Sequence, residues 1–225
     1  MEGVINLDKP AGLSSARLVD AVKRLLPRGT KVGHAGTLDP FATGVLLVLV
    51  GRATKACERL MDAPKQYEAT VKLGATTATD DPESPEISYA PHEPPTAAAV
   101  SGAVPRFVGD ILQRPPAYSA MKVQGRRAYD LARGGNLVEL EPRPVRVYGI
   151  DVLGYEWPFL TLRIDCGRGT YIRAIARDLG AVLGTGGYLT QLRRTRGGPF
   201  SAGEAVTVER LKVDGVAAYI CPVPV

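Results

Sequence analysis

One carboxylate, Asp39, lies in a glycine-rich segment whose composition suits a catalytic loop. Residues 33–44 read GHAGTLDPFATG and include three glycines, which let the backbone turn sharply or approach a ligand closely. Pro40 restricts Asp39 to an extended backbone, which would hold its carboxylate at the end of a loop. The apolar run of residues 45–50 predicts a buried strand that anchors this loop. Asp39 is therefore a candidate nucleophile or base; the structural alternative is an Asx turn in which its carboxylate caps its own backbone.

Three further side chains suit binding or catalysis, and each also has a structural explanation. His34 precedes Asp39 on the same segment, where a turn or surface position accounts for it equally well. Tyr67 opens the apolar face of an alternating segment, so its ring would serve as core packing or as a platform for a stacked base. Arg173 lies near a predicted helix start, which disfavours cations. It therefore calls for a partner carboxylate or phosphate, or else forms a surface ion pair.

Residue counts exclude several kinds of chemistry. The 225 residues include two histidines and three cysteines without a Cys-x-x-Cys pair, which disfavours a histidine- or cysteine-based metal site. No G-x-x-x-x-G-K-[ST] motif and no complete G-x-G-x-x-G motif is present, which disfavours nucleotide-driven and Rossmann-type redox chemistry. The longest apolar run is too short to span a membrane, and the N-terminus lacks the pattern of a signal peptide. We therefore expect a cytoplasmic protein with no membrane, metal or redox cofactor.

The charge distribution points to a polyanionic partner. The formal net charge is +5, and basic residues concentrate in residues 106–146 and 161–198. Residues 76–95 carry five acidic residues and no lysine or arginine, which predicts a solvated loop. Charge alone leaves open whether the basic blocks bind nucleic acid or form a solvated surface.

The hydrophobic periodicity predicts an α+β fold with a mostly antiparallel sheet, because strands and helices do not alternate regularly. The predicted strands are residues 45–50, 67–73, 145–153 and 159–166. The predicted helices are residues 16–26 capped by Ser14-Ser15, 54–61, 96–107, 125–133, and one capped by Thr170 with an apolar stripe of Ile172, Ile175, Leu179 and Val182. Residues 189–195 begin a further basic element.

Six separated motifs resemble the bacterial tRNA pseudouridine synthase B family in that family's order. They are NLDKP at residues 6–10 followed by Gly12 and Ser14-Ser15, GHAGTLDP at 33–40 followed by ATG at 42–44, KQY at 65–67, QRPPAYSA at 113–120 followed by Lys122, Gly125 and Ala128-Tyr129, GRGTYIR at 167–173, and LRR at 192–194. The resemblance runs from Gly3 to about Val225. One such motif would be weak evidence, whereas six in order make coincidence very improbable.

The resemblance implies a role for each matching residue. Asp39 matches the essential aspartate, Tyr67 the tyrosine that stacks on the target uracil, and Arg173 the arginine that pairs with that aspartate and would favour its charged form. The remaining matches are His34, which fills the space left by the extruded nucleotide, Tyr171 and Leu192, which line the pocket, and Lys9 with Pro10, which supports the floor of the site.

The resemblance also implies the fold and the function. The expected fold is α+β, with a large mixed, mainly antiparallel sheet, flanking helices and a central RNA-binding cleft. Residues 1–225 would form one catalytic domain with a basic, thumb-like insertion at about 113–142 and no complete C-terminal PUA domain. The expected activity is isomerisation of uridine 55 in the T-arm loop of tRNA by a monomer that needs no cofactor. A non-catalytic RNA-binding or RNA-folding module and a guide-RNA-dependent pseudouridine synthase are the alternatives.

Overall fold

The chain folds into two compact units, each built from strands and helices. A computed structural model describes residues 1–89, 93–119, 121–123, 126–127 and 140–224. The first unit comprises Met1–Glu68 and Gln191–Val225, and the second comprises Ala69–Thr190.

The strands are β1 (Gly3–Lys9), β2 (Val32–Ala35), β3 (Thr43–Val50), β4 (Lys65–Leu73), β5 (Ala75–Thr77), β6 (Glu86–Ser88), β7 (Gly109–Gln113), β8 (Lys122–Val123), β9 (Arg126–Arg127), β10 (Arg143–Glu156), β11 (Phe159–Cys166), β12 (Gly187–Gly197) and β13 (Phe200–Ser201). The α-helices are α1 (Ser15–Lys23), α2 (Cys57–Asp62), α3 (Ala97–Ala103), α4 (Ile172–Val182) and α5 (Val208–Asp214). Short 3₁₀ turns cover Gly51–Ala56, Val104–Phe107, Ala202–Glu204 and Val216–Tyr219.

Strand β3 is the centre of the first unit, and both of its faces are buried, as its apolar run predicts. Its antiparallel neighbours are β1 and β2, while β12 pairs with it in parallel. Its even-numbered side chains, such as Leu46 and Val48, pack with α1 and α5. Its odd-numbered side chains, such as Val45 and Leu47, pack with Leu60 of α2. Helices therefore flank this part of the sheet, and the strand order in this unit is β1-β3-β12-β4.

The second unit contains the antiparallel strands that the alternating sequences predict. Its strand order is β12-β4-β11-β10-β7, and β5 forms a separate antiparallel pair with β6. The buried residues of β11 alternate with partly exposed ones, so that Leu160, Leu162 and Ile164 face the core. The parallel pairing of β12 with β3, beside antiparallel pairs elsewhere, makes the sheet mixed, and the predicted α+β class is confirmed.

Several predicted boundaries differ from the structure. Helix α1 ends at Lys23, three residues before the predicted end, because the following N–H groups of Leu25 and Leu26 form tighter turns. Tyr171 is the N-cap of α4, so the predicted cap at Thr170 is wrong; that hydroxyl donates to the Gly167 carbonyl instead. Val182 is 42% exposed and does not belong to the buried stripe of α4.

Two segments depart further from the predictions. The described part of the acidic segment is not a solvated loop throughout: it includes the end of β5 and all of β6, and Asp81 within it is buried. The predicted helix at residues 125–133 is wrong at its start, where Arg126–Arg127 form a short strand paired with β8. The rest of that helix lies outside the described residues. In the described ranges, no helix is long and apolar enough to cross a membrane.

Candidate active site

Asp39 lies on the irregular segment that joins β2 to β3 in the first unit, as the sequence predicts, and it is half-buried. Its carbonyl accepts a hydrogen bond of 3.1 Å from the N–H of Ala42, which closes a turn around Pro40. The strand that follows is the most buried element of the unit. The carboxylate is therefore attached to a short, supported loop rather than to a free surface segment.

The buried hydroxyl of Ser15 fixes the residue before Asp39. Ser15 is the first residue of α1, and its Oγ accepts from the N–H of Leu38 at 2.9 Å and donates to the carbonyl of Leu38 at 3.0 Å. Both backbone polar groups of Leu38 are thereby satisfied by one side chain. The sequence predicted only a capping role for the Ser14-Ser15 pair, and Ser14 provides that cap through a bond from the Arg17 N–H.

The fully buried ammonium of Lys9 fixes the residues after Asp39. Its Nζ donates to the carbonyls of Pro10 at 2.9 Å, Pro40 at 3.0 Å and Ala42 at 2.6 Å. A buried charge is costly unless it is well hydrogen-bonded, and these carbonyls supply that compensation. Lys9 at the end of β1 and Ser15 at the start of α1 thus hold the Asp39 loop from both sides.

Arg194 of β12 spans the two ends of the same loop. Its Nη2 donates to the carbonyl of Gly36 at 3.0 Å, and its Nε donates to the carbonyl of Val45 at 2.6 Å. The side chain is buried beside Leu192, which lies on the same face of β12. The sequence motif containing Arg194 suggested no role for it, because its burial depends on contacts with residues about 150 positions away.

His34 and Tyr67 are also in the first unit. His34 belongs to β2, and its buried Nδ1 has no hydrogen-bond partner among the described residues. Burial lowers the pKa of His34 below its ordinary value, and the charge of Arg194 lowers it further, so the ring is neutral at pH 7. Tyr67 is 8% exposed and shares the buried face of β4 with Ala69 and Val71, as its alternating pattern predicts.

In the second unit, Arg173 forms a buried ion pair with Asp81, a partner that the sequence did not identify. Its Nη1 donates to Oδ2 of Asp81 at 3.0 Å, and these side chains are 4% and 3% exposed. The same guanidinium donates to the carbonyls of Thr79 at 2.8 Å and Tyr118 at 2.9 Å. The partner carboxylate suggested by the position of Arg173 near the helix start is therefore found, and the pair is not a surface pair. Pairing of Arg173 with Asp39 stays a prediction.

Arg177, one turn later on α4, is likewise bound by carboxylates and by a backbone carbonyl. It donates to Asp80 at 3.0 Å, to Asp178 at 2.8 Å and to the carbonyl of Arg114 at 2.8 Å. Burial raises the pKa of Asp80, although the positive charges of Arg177 and Arg173 oppose that shift. Adjacent acids of the acidic segment thus hold the two arginines that share one face of α4.

Tyr171 is positioned by Gln113, a residue for which the sequence indicated no role. The N–H of Tyr171 donates to Oε1 of Gln113 at 2.8 Å, and its carbonyl accepts from Nε2 at 3.1 Å. Gln113 is buried at the end of β7, so this carboxamide attaches the start of α4 to the sheet. Tyr171 itself stays partly exposed.

Across the described ranges there is no group of three or more histidine, cysteine, aspartate or glutamate side chains that would hold a metal ion. The first unit brings Lys9, His34, Asp39, Tyr67 and Leu192 into one compact body, and the second contains Tyr171 and Arg173. The first set includes Asp39 on its supported loop, and in the second set Arg173 is paired with Asp81.

Comparison with known proteins identifies related sequences along nearly the whole chain. Residues 23–172 match the model of the TruB family pseudouridylate synthase N-terminal domain, and residues 173–218 match that of the tRNA pseudouridylate synthase B C-terminal domain. A protein of Aromatoleum aromaticum named tRNA pseudouridine synthase B is 46% identical over 99% of this chain and 73% of its own length. A protein of the same name from Nostoc is 45% identical over 100% of this chain and 77% of its own.

Solved structures with a similar fold are found at lower sequence identity. A crystal structure of a Cbf5-Nop10-Gar1 complex contains a chain with a TM-score of 0.72 and 33% identity, covering 96% of this chain. The archaeal box H/ACA sRNP Nop10-Cbf5 complex gives a TM-score of 0.68 at 31% identity over 97% of this chain. This chain spans 57% of the length of each of those two chains. Because the family model covers two thirds of the residues and the relatives nearly all of them, the chain belongs to the TruB family of pseudouridylate synthases.

Proposed function

We propose that this chain isomerises a uridine of tRNA to pseudouridine, and that the target is position 55 in the T-arm loop. Family membership and relatives at 45–47% identity named tRNA pseudouridine synthase B support the reaction and the tRNA substrate. The basic blocks of the sequence supply the charge that an RNA partner needs. The enzyme would act as a monomer in the cytoplasm on free tRNA.

One observation carries the proposal: Asp39 lies on a loop that buried polar side chains hold on both sides. Lys9, Ser15 and Arg194 form five hydrogen bonds with the backbone of that loop, and Arg194 forms a sixth with Val45 of the strand that follows. A catalytic group must be kept within a fraction of an ångström of its productive position, and hydrogen bonds to the backbone that carries it are a usual means of doing so. An aspartate with only a structural role would need no comparable support.

The reaction requires one well-placed carboxylate. The N1–C1′ bond of uridine breaks, the uracil turns, a C5–C1′ bond forms, C5 loses its proton and N1 gains one, so the product is an isomer. Asp39 would attack C1′, remove the C2′ proton to give a glycal, or attack C6 of the base. Glycosidases need a second carboxyl acid because they expel an alkoxide. Uracil leaves as a delocalised anion and needs less assistance, and no redox equivalent is consumed.

The other site residues would bind the displaced nucleotide. A uridine within a folded loop must flip out of its stack at a cost of a few kcal/mol. Stacking on Tyr67 would return about 1–3 kcal/mol, and phosphate contacts would supply the rest. His34, neutral at pH 7, would occupy the space that the base leaves. Tyr171 and Leu192 would line the pocket, and Arg173 would lie close to the carboxylate.

Tritium release tests the proposal. Wild-type protein incubated with tRNA labelled as [5-³H]uridine should release tritium, because C5 loses its hydrogen during isomerisation. Asp39→Ala and Asp39→Asn should release none. Asp20→Asn, which changes an exposed carboxylate of α1, is the matched control and should release at the wild-type rate. Release that survives in both Asp39 variants would contradict the catalytic assignment.

The same assay separates the alternatives. A tRNA whose position 55 is cytidine should release no tritium if the target is as proposed. Tight tRNA binding without release by the wild type would indicate a binding module or a synthase that depends on a guide RNA. Light scattering of the free protein measures its molecular mass and so tests whether it is a monomer.

A further inference from the structure

The geometry points to Arg194 as a positioning residue for the isomerisation, one that sets the Asp39 loop by joining its two ends. The inference rests on the proposed function and assigns part of its machinery to a residue of β12. Gly36 and Val45, whose carbonyls accept from Arg194, lie on opposite sides of Asp39 in the chain. A single side chain therefore bridges the two ends of the loop, in addition to the pairing of β2 with β3.

The glycines of the loop fit this arrangement. Gly36 has φ +87°, and a Cβ there would lie 3.2 Å from Nη1 of Arg194. Gly44 has φ +97°, and a Cβ there would lie 2.2 Å from the Arg194 carbonyl oxygen, where β12 pairs in parallel with β3. A side chain at either position would meet Arg194 or its backbone. Glycine at both positions therefore allows the loop to approach Arg194 closely at both of its ends.

Burial of the positive charge of Arg194 is energetically unfavourable. The residue is 2% exposed, and within the described part of the chain it forms no ion pair; the carbonyls of Gly36 and Val45 are its hydrogen-bond partners. Burying a cation without a carboxylate is destabilising. Sequences break such a packing rule mainly at functional sites. The planar guanidinium is the group that can hold two carbonyls in one fixed geometry, which a lysine ammonium cannot do with the same rigidity.

Arg194→Lys and Arg194→Met in the full chain separate geometry from charge. Arg194→Lys keeps the charge and loses the planar pair of donors, so the single-turnover rate of tritium release should fall by roughly tenfold to a hundredfold. The Kd for tRNA should stay within about threefold of wild type, because phosphate contacts dominate affinity. Arg210→Met removes an exposed guanidinium paired with Asp214, and it should change neither rate nor Kd.

A spectroscopic readout reports the charge separately. The chain has two histidines, so NMR titration resolves His34 directly. Its pKa should rise in Arg194→Met, which removes a neighbouring positive charge, and should change little in Arg194→Lys. If Arg194→Met does not fold, Arg194→Lys still decides the question through its rate and Kd.

The outcomes are distinct from those of the proposed function. No release by the wild type contradicts the proposed function itself. Wild-type release together with an unchanged rate in Arg194→Lys overturns only the inference about Arg194. A rate loss matched by an equal loss of tRNA affinity also overturns it, because that would make Arg194 a binding residue.

Discussion

Arg173 and Asp81 form an ion pair in which both partners are almost completely buried, 92 residues apart in sequence. The second carboxylate oxygen of Asp81 is also hydrogen-bonded. This Oδ1 accepts from the Thr79 hydroxyl at 2.5 Å and from the N–H of Glu83 at 2.9 Å. The acidic segment is therefore the support for an arginine of α4. Its acidic composition serves this buried pairing as well as solvation.

Removing Asp81 should destabilise the protein strongly. Asp81→Asn removes the carboxylate charge from a buried ion pair with Arg173, and breaking such a pair typically costs about 3–5 kcal/mol in the free energy of unfolding. Urea unfolding at pH 7 measures the loss. Asp110→Asn breaks the exposed pair with Arg146 and should cost about 0–1 kcal/mol. Equal effects of the two substitutions would show that burial does not strengthen the Arg173 pair.

Substitutions at Tyr67 should separate stacking from chemistry. Tyr67→Phe keeps the ring, so tRNA affinity should hold while the single-turnover rate of tritium release falls. Tyr67→Ala removes the ring and should weaken binding by about 1–3 kcal/mol. Filter binding and single-turnover release measure the two effects, and Tyr148→Ala, an exposed tyrosine of β10, is the control. Wild-type activity in Tyr67→Ala would refute the stacking role.

His34 should make the stability depend on pH near neutrality. Its pKa is lower in the folded protein than in the unfolded chain, so below the ordinary value of 6.5 the unfolded chain binds the proton more readily. The contribution of His34 is therefore present above pH 6.5 and is lost as the pH falls toward its folded pKa. Urea unfolding of wild type and His34→Gln at pH 7.5, 6.5 and 5.5 should show the wild type losing stability relative to the variant. A constant difference would contradict the shift, and His92→Gln controls for the other imidazole.

Binding of tRNA should depend steeply on salt. If the basic block of residues 106–146 contacts phosphates, the plot of log K against log salt has a negative slope that grows with the number of contacts. Changing Lys122, Arg126 and Arg127 together to glutamine should reduce that slope by about 0.7–0.9 for each contact removed. Lys212→Gln, an exposed lysine of α5, should leave it unchanged. An identical slope in the triple variant would exclude phosphate contacts there.

Sequence periodicity predicted the elements whose burial repeats regularly. The apolar run of β3 and the alternation in β4 and β11 reflect burial on two faces or one, which is a local property of the sequence. The loop position of Asp39 was also predictable, because Pro40 and the surrounding glycines restrict the backbone directly. Boundaries were less accurate at α1 and α4, where the terminal turns tighten or the cap shifts by one residue.

The partners of buried polar groups could not be predicted in this way. Nothing local to Asp81 distinguishes it from the other acids of its segment, and its burial follows from Arg173 far along the chain. The same holds for Ser15 and Arg194, whose bonds reach residues 23 and about 150 positions away. Lys9 entered the prediction only through the family resemblance. Hydropathy treats such residues as surface groups, so the supports of the site become visible only in three dimensions.

The first compact unit is discontinuous in the chain, and this has a consequence for biosynthesis. The backbone of strand β1 forms hydrogen bonds with Val206 and Cys221, which lie near the other end of the sequence. The guanidinium that bonds to the Asp39 loop at Gly36 belongs to Arg194. A ribosome must therefore synthesise the chain as far as Arg194 before the loop can adopt its final structure. Contacts this distant along the chain slow folding. Nascent chains arrested before Gln191 should accordingly expose the edge of β3 to chaperones.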